Sequence, residues 1–528
     1  MSEQLTRRLK LFSYEAHRKL LAQGLRGIER EALRVDTKGN LSQKPHPIAL
    51  GSTLTHPQIT TDYSESLLEF ITPTGRDIES VLAQLDAVHC FSYTALGDEL
   101  LWSQSMPCDL PEEEHIPIAT YGKSHIGMLK HVYRQGLALR YGRTMQCIAG
   151  IHYNFSMSED IWRLLKNTEE AGGTAMSYQS ESYIALLRNF HRYSWLLMYL
   201  FGASPAVAKQ FMRGNPHGLE TLSEDTLYLP YATSLRMSDL GYQNNVQAGL
   251  MKPINSLRDY MVSLARAVRE PYPPYEKLGI QRDGEWVQIN ANILQVENEF
   301  YATIRPKRVI RTGERPLEAL CSRGVQYIEV RCMDVDPFNP IGISLETSRF
   351  IDAFLHFCAF TDSPSTSEAE DAENKENFAR TVKEGRRPGL TLQRNGEAIE
   401  LNTWGLELLS EIGKIAELLD AQHGDDVHAK ALVTQKEKLL SPELTPSAKV
   451  LVAIHQHGDS FKAFALHQSR IHAENFKSRP LSTEEIASFE EMAQTSLTEQ
   501  AEIEAAQTGD FDAFIKDYRA RTPSHLCQ

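Results

Sequence analysis

The segment Leu25–Val35 constrains the fold more than any other part of the chain. Its apolar and charged residues alternate with a period of two, which predicts a β-strand. Ile28 and Arg30 point to one face of that strand, and Glu29 and Glu31 point to the other. Two carboxylates at this spacing repel each other unless water or a counter-charge lies beside them. Because paired hard oxygen donors suit a divalent cation, this face is a candidate metal site, with a solvated outer face as the alternative.

The same arrangement recurs in three further segments, residues 151–155, 295–300 and 327–331. Each places polar or charged side chains on one strand face, opposite apolar side chains. The polar members are His152 and Asn154, Glu297 and Glu299, and Glu329 and Arg331. We therefore predict that four strands with apolar backs and polar fronts form one sheet, and that the front of this sheet lines a polar cleft.

The acidic composition excludes some classes of partner. The chain has 528 residues and a formal net charge of -14, so it gains no general attraction to nucleic acid or anionic lipid. Its seven cysteines include no CxxC pair, which argues against a disulfide framework or a zinc cluster and for a reducing compartment. The N-terminus has no apolar signal segment, and no apolar run approaches the roughly 20 residues that span a bilayer. We expect a cytoplasmic protein that binds neither nucleic acid nor membrane.

A change of composition near residue 362 suggests how the chain is organised. Residues 363–377 are polar and rich in Ser and Glu, which predicts an exposed loop or linker. Before it, helices and strands alternate, so we assign residues 1–362 to an α/β core. After it, apolar residues recur at helical spacing, and Ser482 with Glu485 forms a capping box. We assign residues 378–528 to a mainly helical part packed on the core.

The residues that can carry chemistry form an acidic set with one histidine. They are Glu29, Glu31, Asp62, Glu69, His152 and Glu329. Hard oxygen donors suit Mg²⁺, and the histidine makes Mn²⁺ an alternative. So many carboxylates imply more than one ion, and clustered ions without a redox group indicate phosphoryl transfer. The basic complement is Arg134, Arg236, Lys307 and Arg331, although a solvated turn explains the basic residues 304–308 equally well. No dinucleotide-binding, P-loop or nucleophile-elbow motif occurs.

Eight segments of this sequence resemble the bacterial glutamate–cysteine ligases of the proteobacterial single-chain type. The segments are residues 27–35 (GIEREALRV), 55–62 (THPQITTD), 68–73 (LEFITP), 150–155 (GIHYNF), 199–205 (YLFGASP), 231–236 (YATSLR), 304–308 (IRPKR) and 327–331 (YIEVR). The resemblance continues weakly through residues 385–392, and the helical tail carries no motif of the family.

This resemblance implies an α+β fold, in which a curved, largely antiparallel sheet forms a glutamine-synthetase-like funnel beside a helical C-terminal part. It implies an enzyme that phosphorylates the γ-carboxylate of L-glutamate with ATP. The amine of L-cysteine then displaces phosphate, which is the first step of glutathione biosynthesis. A carboxylate is a poor electrophile until it is phosphorylated, and metals and cations assist that transfer, which agrees with the acidic set. We expect Mg²⁺ or Mn²⁺ as cofactor, L-glutamate, L-cysteine and ATP as the small-molecule partners, and a monomer.

Matching positions supply the site residues that the resemblance implies. The metal ligands would be Glu29, Glu31, Asp62, Glu69, His152 and Glu329, with Glu329 and Arg331 as catalytic residues. Arg331 would bind glutamate and the transferred phosphoryl group. The cysteine pocket would comprise Tyr133, Leu137, Gln146, Arg236, Tyr242 and Tyr301, while Arg134 and Lys307 would contact phosphate. Two alternatives stay open: a ligase of the same fold with another acceptor amine, and a non-catalytic amino-acid-binding homologue, which has no need of six converging ligands.

Overall fold

The computed structural model describes residues 3–241, 247, 250, 252–311 and 313–521. The strands are β1 (Leu25–Val35), β2 (Ile59–Thr61), β3 (Leu67–Ile71), β4 (Leu100–Leu101), β5 (Ile151–Ser156), β6 (Ala206–Ala208), β7 (Glu220–Thr221), β8 (Thr226–Tyr228), β9 (Gln281–Arg282), β10 (Glu285–Trp286), β11 (Ile304–Lys307), β12 (Tyr327–Met333), β13 (Thr391–Arg394) and β14 (Glu397–Glu400). The helices are α1 (Glu3–Ser13), α2 (Glu15–Arg18), α3 (Ile78–Ala95), α4 (His125–Tyr141), α5 (Glu159–Thr168), α6 (Ala175–Phe201), α7 (Leu257–Ala267), α8 (Pro273–Leu278), α9 (Pro316–Arg323), α10 (Leu345–Phe360), α11 (Glu368–Glu384), α12 (Leu401–His423), α13 (Val427–Leu440), α14 (Pro446–Gln456), α15 (Phe461–Ser478), α16 (Thr483–Ala506) and α17 (Phe511–Ala520).

One seven-stranded sheet holds three of the four segments with polar fronts that the sequence singled out, namely β1, β5 and β12. Its strand order is β11–β12–β5–β1–β3–β2, and β4 pairs with the end of β1. Every pairing in this sheet is antiparallel. The long strand β1 pairs with β3, β4 and β5, so the segment with the two carboxylates lies inside the sheet and not at its edge. The predicted mixed fold with a largely antiparallel sheet is confirmed.

Helices cover the apolar back of this sheet. Ile28 and Ala32 of β1 are fully buried on that side, and α3 packs behind β1 and β3. The helix α6 packs behind β11 and β12. The hydroxyl of Tyr153 on β5 donates a hydrogen bond to Asp352 of α10 at 2.9 Å. Because helices bury one face, the polar residues on the other face are left to line a cleft.

The C-terminal part of the chain is helical and packs against the rest. Helices α12 and α13 pack on each other and on α10, while α15 packs on α3 and α17 packs on α4. The capping box of α16 forms as predicted, because Ser482 and Glu485 exchange side-chain-to-backbone hydrogen bonds. The predicted helical C-terminal part is confirmed.

The prediction of a strand at residues 295–300 is wrong. Residues Glu297–Glu299 form a single 3₁₀ turn, and the strand of this region begins at Ile304. The Glu299 carboxylate accepts a hydrogen bond from the Gln295 backbone N–H at 2.6 Å, which closes the turn. Arg315 binds both carboxylate oxygens of Glu297, at 3.0 and 2.9 Å. Buried partners for the two acids therefore override the alternating pattern.

The exposed loop predicted at residues 363–377 is also wrong from residue 368 onward. The helix α11 begins at Glu368, and the Ser367 hydroxyl caps it by accepting a hydrogen bond from the Glu370 N–H at 3.1 Å. Acidic residues in the first turn of a helix are favoured by the helix dipole, so a Ser/Glu-rich segment can start a helix. The buried side of α11 includes Asn374, Asn377 and Thr381, so an apolar stripe does not reveal it.

Two further findings bear on the composition arguments. No helix among the described residues is long and apolar enough to cross a membrane. Five cysteines are buried free thiols, whereas Cys321 is disulfide-bonded, a feature that the scattered spacing did not predict.

Candidate active site

Strand register brings acidic residues into one row across the front of the sheet. Glu31 of β1 lies opposite Glu69 of β3, and Glu29 of β1 lies opposite His152 of β5. His152 Nδ1 lies 3.0 Å from Glu29 Oε2, and His152 Nε2 lies 3.8 Å from Glu31 Oε1. The Asn154 amide donates to the second oxygen of Glu29 at 2.9 Å. The imidazole therefore lies between the two carboxylates of β1.

Glu329 of β12 extends the row beyond β5, where its register partner is Asn154. Its side chain is only 2% exposed. Arg331 Nη1 lies 3.0 Å from one carboxylate oxygen, and Lys307 Nζ lies 3.3 Å from the other. Burial by itself would raise the pKa of Glu329, but Lys307, Arg331 and Arg305 together hold that pKa well below its usual range. Glu329 is therefore an ionised carboxylate at neutral pH.

At the other end of the row, nearby positive charge does not offset the burial of Glu31 and Glu69. Burial, together with the charges of Glu29, Asp62 and Glu31, raises the pKa of Glu69 well above its usual range. Burial also raises the pKa of Glu31, although Glu31 accepts a 2.7 Å hydrogen bond from the Gly150 N–H. Crowded carboxylates with raised pKa values are a site that a cation would stabilise.

The residues present fit divalent cations. Two groups offer ligand atoms within 4.8 Å of one another, namely Glu29, His152 and Glu329, and Glu31, Glu69 and His152. Within the described residues, Asn154 Oδ1 is buried without a hydrogen-bond partner, and Glu329 Oε2 has the Lys307 ammonium group 3.3 Å away, so both oxygens can still accept a ligand. His152 belongs to both groups, but a neutral imidazole has one lone pair and can bind only one ion. A mixed carboxylate and imidazole set of this kind suits Mg²⁺ or Mn²⁺.

A cavity opens directly beside this row, and we call it the acceptor cavity. It is lined by Glu31, Asp62, Tyr63, Tyr133, Arg134, Leu137, Met145, Gln146, Ile148, His152, Arg236, Gly241, Asn298, Glu299, Tyr301, Arg305 and Arg331. The Gln146 amide donates to the Tyr301 hydroxyl at 2.8 Å, which fixes two polar groups on its wall. Arg236 is almost fully buried, and its Nη2 donates to the Arg331 carbonyl at 2.9 Å.

One glycine allows Arg236 to reach this position. A Cβ on Gly150 would lie 2.0 Å from Arg236 Nη2, so any larger residue would displace the guanidinium. The same glycine holds Glu31 through its N–H. Gly150 therefore positions one cation and one carboxylate of the site.

A second cavity lies on the other side of Arg305, and we call it the outer cavity. It is lined by Tyr260, Leu264, Glu297, Asn298, Arg305, Pro306, Lys307, Arg308, Val309, Ile310, Pro316, Leu317, Leu320 and Tyr327. Asn298 and Arg305 line both cavities, so they form the wall between them. The outer cavity combines aromatic and aliphatic side chains with three cations, whereas the acceptor cavity is mainly polar.

The structure brings together most of the predicted site residues. Glu29, Glu31, Glu69, His152 and Glu329 converge, while Asp62 is about half exposed at the edge of the acceptor cavity and belongs to neither ligand group. Tyr133, Leu137, Gln146, Arg236 and Tyr301, which the family resemblance assigns to a cysteine pocket, all line the acceptor cavity, and Tyr242 lies outside the described residues. Lys307 and Arg134, both predicted to contact phosphate, lie in different cavities.

The two residues of the wall between the cavities, Arg305 and Asn298, were not predicted as site residues. Arg305 is two residues from Lys307 on β11, so both share a strand face, and Arg305 is the register partner of Glu329. Since Lys307 was already a candidate, this alternation could have identified Arg305 from the sequence. Asn298 gave no such signal, because the turn that contains it was predicted as a strand.

Comparison with known proteins identifies relatives over the whole chain. A family model described as glutamate-cysteine ligase matches residues 9–381. A glutamate–cysteine ligase of Janthinobacterium sp. (strain Marseille) is 66% identical over 527 residues, covering 100% of both chains. A glutamate–cysteine ligase of Pseudomonas aeruginosa (strain LESB58) is 61% identical over 520 residues, covering 98% of both chains.

Solved structures give the same picture of the fold. The 2.0 Å crystal structure of a glutamate–cysteine ligase from Francisella tularensis in complex with AMP superposes with a TM-score of 0.89 and 36% identity, covering 94% of this chain and 97% of that chain. A bifunctional glutathione synthetase from Pasteurella multocida shares the fold, with a TM-score of 0.70 and 24% identity over 92% of this chain and 57% of that chain.

Proposed function

Because the chain belongs to the glutamate–cysteine ligase family, we propose that it uses ATP to join the γ-carboxylate of L-glutamate to the amine of L-cysteine. The products are γ-glutamylcysteine, ADP and phosphate, and the reaction is the first step of glutathione biosynthesis. The observation that carries the proposal is the row of carboxylates flanking His152 beside the acceptor cavity, with Arg331 and Lys307 at one end.

The first chemical step is phosphoryl transfer to the substrate carboxylate. A γ-carboxylate oxygen of glutamate attacks the terminal phosphorus of ATP, the bond to the bridging oxygen breaks, and ADP leaves. Arg331 supports this step, because its guanidinium lines the acceptor cavity beside Glu329 and offers a fork that matches carboxylate and phosphate oxygens. Bound Mg²⁺ would neutralise the charge that develops on the phosphate oxygens.

The ligand set proposed for those ions is Glu29, Glu31, Asp62, Glu69, His152 and Glu329. The support differs among them. Five of the six lie within the two ligand groups, whereas Asp62 would join an ion only from the cavity edge. Lys307 and Arg331 each pair with one oxygen of Glu329, so positive charge already lies beside this carboxylate.

The second step is attack by the amine. The nitrogen of cysteine, having lost its proton, attacks the acyl carbon of γ-glutamyl phosphate, and the C–O bond to phosphate breaks. The acceptor cavity is proposed to hold cysteine, because Tyr133, Gln146 and Tyr301 line it and it adjoins His152 and Arg331. Arg236 is proposed to attract the carboxylate of the incoming amino acid.

The outer cavity is proposed to hold the nucleotide. Tyr260, Tyr327 and Ile310 offer apolar and aromatic surface for a base, and Lys307 and Arg305 lie on the side toward Glu329. The relative from Francisella tularensis was crystallised with AMP, which supports nucleotide binding in this fold. This arrangement favours Lys307 over Arg134 as a phosphate contact, since Arg134 lines the acceptor cavity. The cytoplasmic location and the monomeric state remain predictions.

The experiment that tests the proposal is a release assay with ATP, Mg²⁺ and L-glutamate, with and without L-cysteine. We expect ADP, phosphate and γ-glutamylcysteine in equal amounts, identified by mass spectrometry, and little release without the amine. Turnover with another amine in preference to cysteine would support the ligase with a different acceptor. Glutamate binding without any turnover would support the non-catalytic homologue and contradict the proposal.

A further inference from the structure

A third cavity, of about 410 Å³, lies between α17 and residues 289–295. Small-molecule sites in proteins typically measure about 300–1,000 Å³, so this cavity is large enough for a metabolite. It is separate from the row of carboxylates, and none of its lining residues belongs to the two ligand groups. We call it the basic cavity.

Its charge is opposite to that of the chain as a whole. Arg269, Arg315, Lys516 and Arg519 line it, and none of the described lining residues is acidic. Elsewhere acids outnumber basic residues, which gives the net charge of -14. Within the described part of the chain, Arg269 and Lys516 have no ion-pair partner. Arg315 is paired with Glu297, whereas Arg269 and Lys516 leave uncompensated positive charge on this concave surface, and like charges that add in a cleft attract anions.

The base of the cavity is built from buried polar groups. Arg315 is only 4% exposed, and Gln295 and Asn290 are also buried. Arg315 lies over the Tyr518 ring at 5.0 Å, so α17 holds the guanidinium in place from the outer side. A planar guanidinium held in this way is pre-organised to bind a carboxylate or phosphate. Lys516 and Arg519 lie on the same helix and are more exposed, at the rim of the cavity.

The same residues support the wall of the acceptor cavity. Gln295 donates through Nε2 to the Tyr133 carbonyl at 3.1 Å and through its backbone N–H to Glu299 at 2.6 Å. Tyr133 and Glu299 both line the acceptor cavity. Arg315 binds Glu297 at the start of the turn that contains Glu299. An anion bound to Arg315 would compete with the Glu297 carboxylate for the guanidinium, and the turn Glu297–Glu299 would shift as that ion pair weakens.

We propose that the basic cavity is a binding site for a small, multiply charged oxyanion, and that its occupancy alters the acceptor cavity through Gln295 and the turn Glu297–Glu299. The ligand carries two or more negative charges, as a phosphate ester or a polycarboxylate does. Binding itself is independent of the proposed function, whereas the effect on acceptor affinity rests on it.

The binding test is calorimetric titration of the full chain without Mg²⁺ or ATP, using inorganic pyrophosphate and, separately, citrate. Four proteins are compared: wild type, Lys516→Ala/Arg519→Ala, the control Lys430→Ala/Lys436→Ala on α13, and Lys307→Ala. Both double variants remove two positive charges, but only the first touches the basic cavity. We expect an affinity loss of about tenfold or more in Lys516→Ala/Arg519→Ala and none in the other two. The anion that binds more tightly shows whether the natural ligand is a phosphate or a polycarboxylate.

Three outcomes would overturn the binding claim. They are equal affinity in all four proteins, no binding of either anion to wild type, or a loss confined to Lys307→Ala, which would put the anion in the catalytic cleft. The coupling claim is tested by initial rates at constant free Mg²⁺. We expect the anion to shift the KM for the acceptor amine in wild type but not in Lys516→Ala/Arg519→Ala, with a smaller change in kcat. An unchanged KM in wild type would contradict coupling, and a complete lack of ligase activity would contradict the proposed function while the calorimetry still reports on the cavity.

Discussion

Replacing Arg331 by lysine should separate the roles of two neighbours on β12. Arg331 Nη1 lies 3.0 Å from Glu329 and 3.4 Å from His152, and its side chain is only 16% exposed. Lysine keeps the charge but loses the planar fork, so at least one charge-assisted hydrogen bond to the transferred group disappears. Such a bond contributes about 1.5–3 kcal/mol, and preorganised donors at developing charge contribute about 2–4 kcal/mol. We therefore expect kcat/KM for glutamate to fall roughly 30- to 1,000-fold.

The matched comparison is Glu329→Gln, which keeps the shape of the side chain but removes a charge that a cation needs. The assay is γ-glutamylcysteine formation by both variants across titrations of Mg²⁺, Mn²⁺ and glutamate. We expect excess Mn²⁺ to recover part of the rate of Glu329→Gln and none of the rate of Arg331→Lys. Near-wild-type rates for either variant, or metal rescue of Arg331→Lys alone, would refute the assignment of metal binding to Glu329 and anion binding to Arg331.

Three further predictions address positioning and stability. Gly150→Ala places a Cβ 2.0 Å from Arg236 Nη2, so we expect steady-state kinetics to show acceptor binding weakened by about 1–3 kcal/mol, and an unchanged KM would contradict this role. In the wild type, Arg26 lies 2.9 Å from the buried carboxylate of Asp352. Asp352→Asn leaves Arg26 as an unpaired buried charge, so chemical denaturation should show a free energy of unfolding that is lower by about 3–5 kcal/mol. Burial lowers the pKa of Lys438 from 10.5 to about 8, so between these values the unfolded chain binds a proton that the folded chain does not. Wild type should therefore gain up to about 3 kcal/mol of stability relative to Lys438→Met as pH rises through that window, and parallel stability curves would exclude this titration.

Alternation of residue types was sufficient to predict the strands at the centre of the site. β5 and β12 have large apolar side chains on the helix-covered face and polar ones on the cleft face. β1 carries its two carboxylates on the cleft face, but its helix-covered face combines Ile28 and Ala32 with the buried arginines Arg26, Arg30 and Arg34. Strand order could not be read from this pattern. That Glu31 pairs with Glu69, and Glu29 with His152, depends on contacts between segments that are distant in the chain.

The pattern failed where polar groups are buried with partners. The segment at residues 295–300 alternates as a strand does, yet Arg315 and the Gln295 backbone bind its two acids and close a turn. In α11, a capped start and a partly polar buried face gave a helix where the composition predicted a loop. Sequence patterns report which residues avoid water, and they do not report which polar residues find a buried partner.

The acceptor cavity could not be predicted from sequence patterns, for a related reason. The acceptor cavity combines residues from β1, α4, β12 and the turn Glu297–Glu299, which meet only in the folded chain. The predicted cysteine pocket at Tyr133, Gln146 and Tyr301 came from family resemblance, and in the structure these three residues line the same cavity, with Gln146 hydrogen-bonded to Tyr301.

The central claim is that the acidic row and Arg331 activate a carboxylate by phosphorylation. The most direct measurement uses L-glutamate labelled with ¹⁸O in the γ-carboxylate, with ATP, Mg²⁺ and L-cysteine, followed by mass spectrometry of the phosphate released. The account predicts that each phosphate carries one ¹⁸O atom from glutamate, because the C–O bond of γ-glutamyl phosphate breaks when the amine attacks. Unlabelled phosphate, or ¹⁸O recovered in AMP together with pyrophosphate, would contradict it.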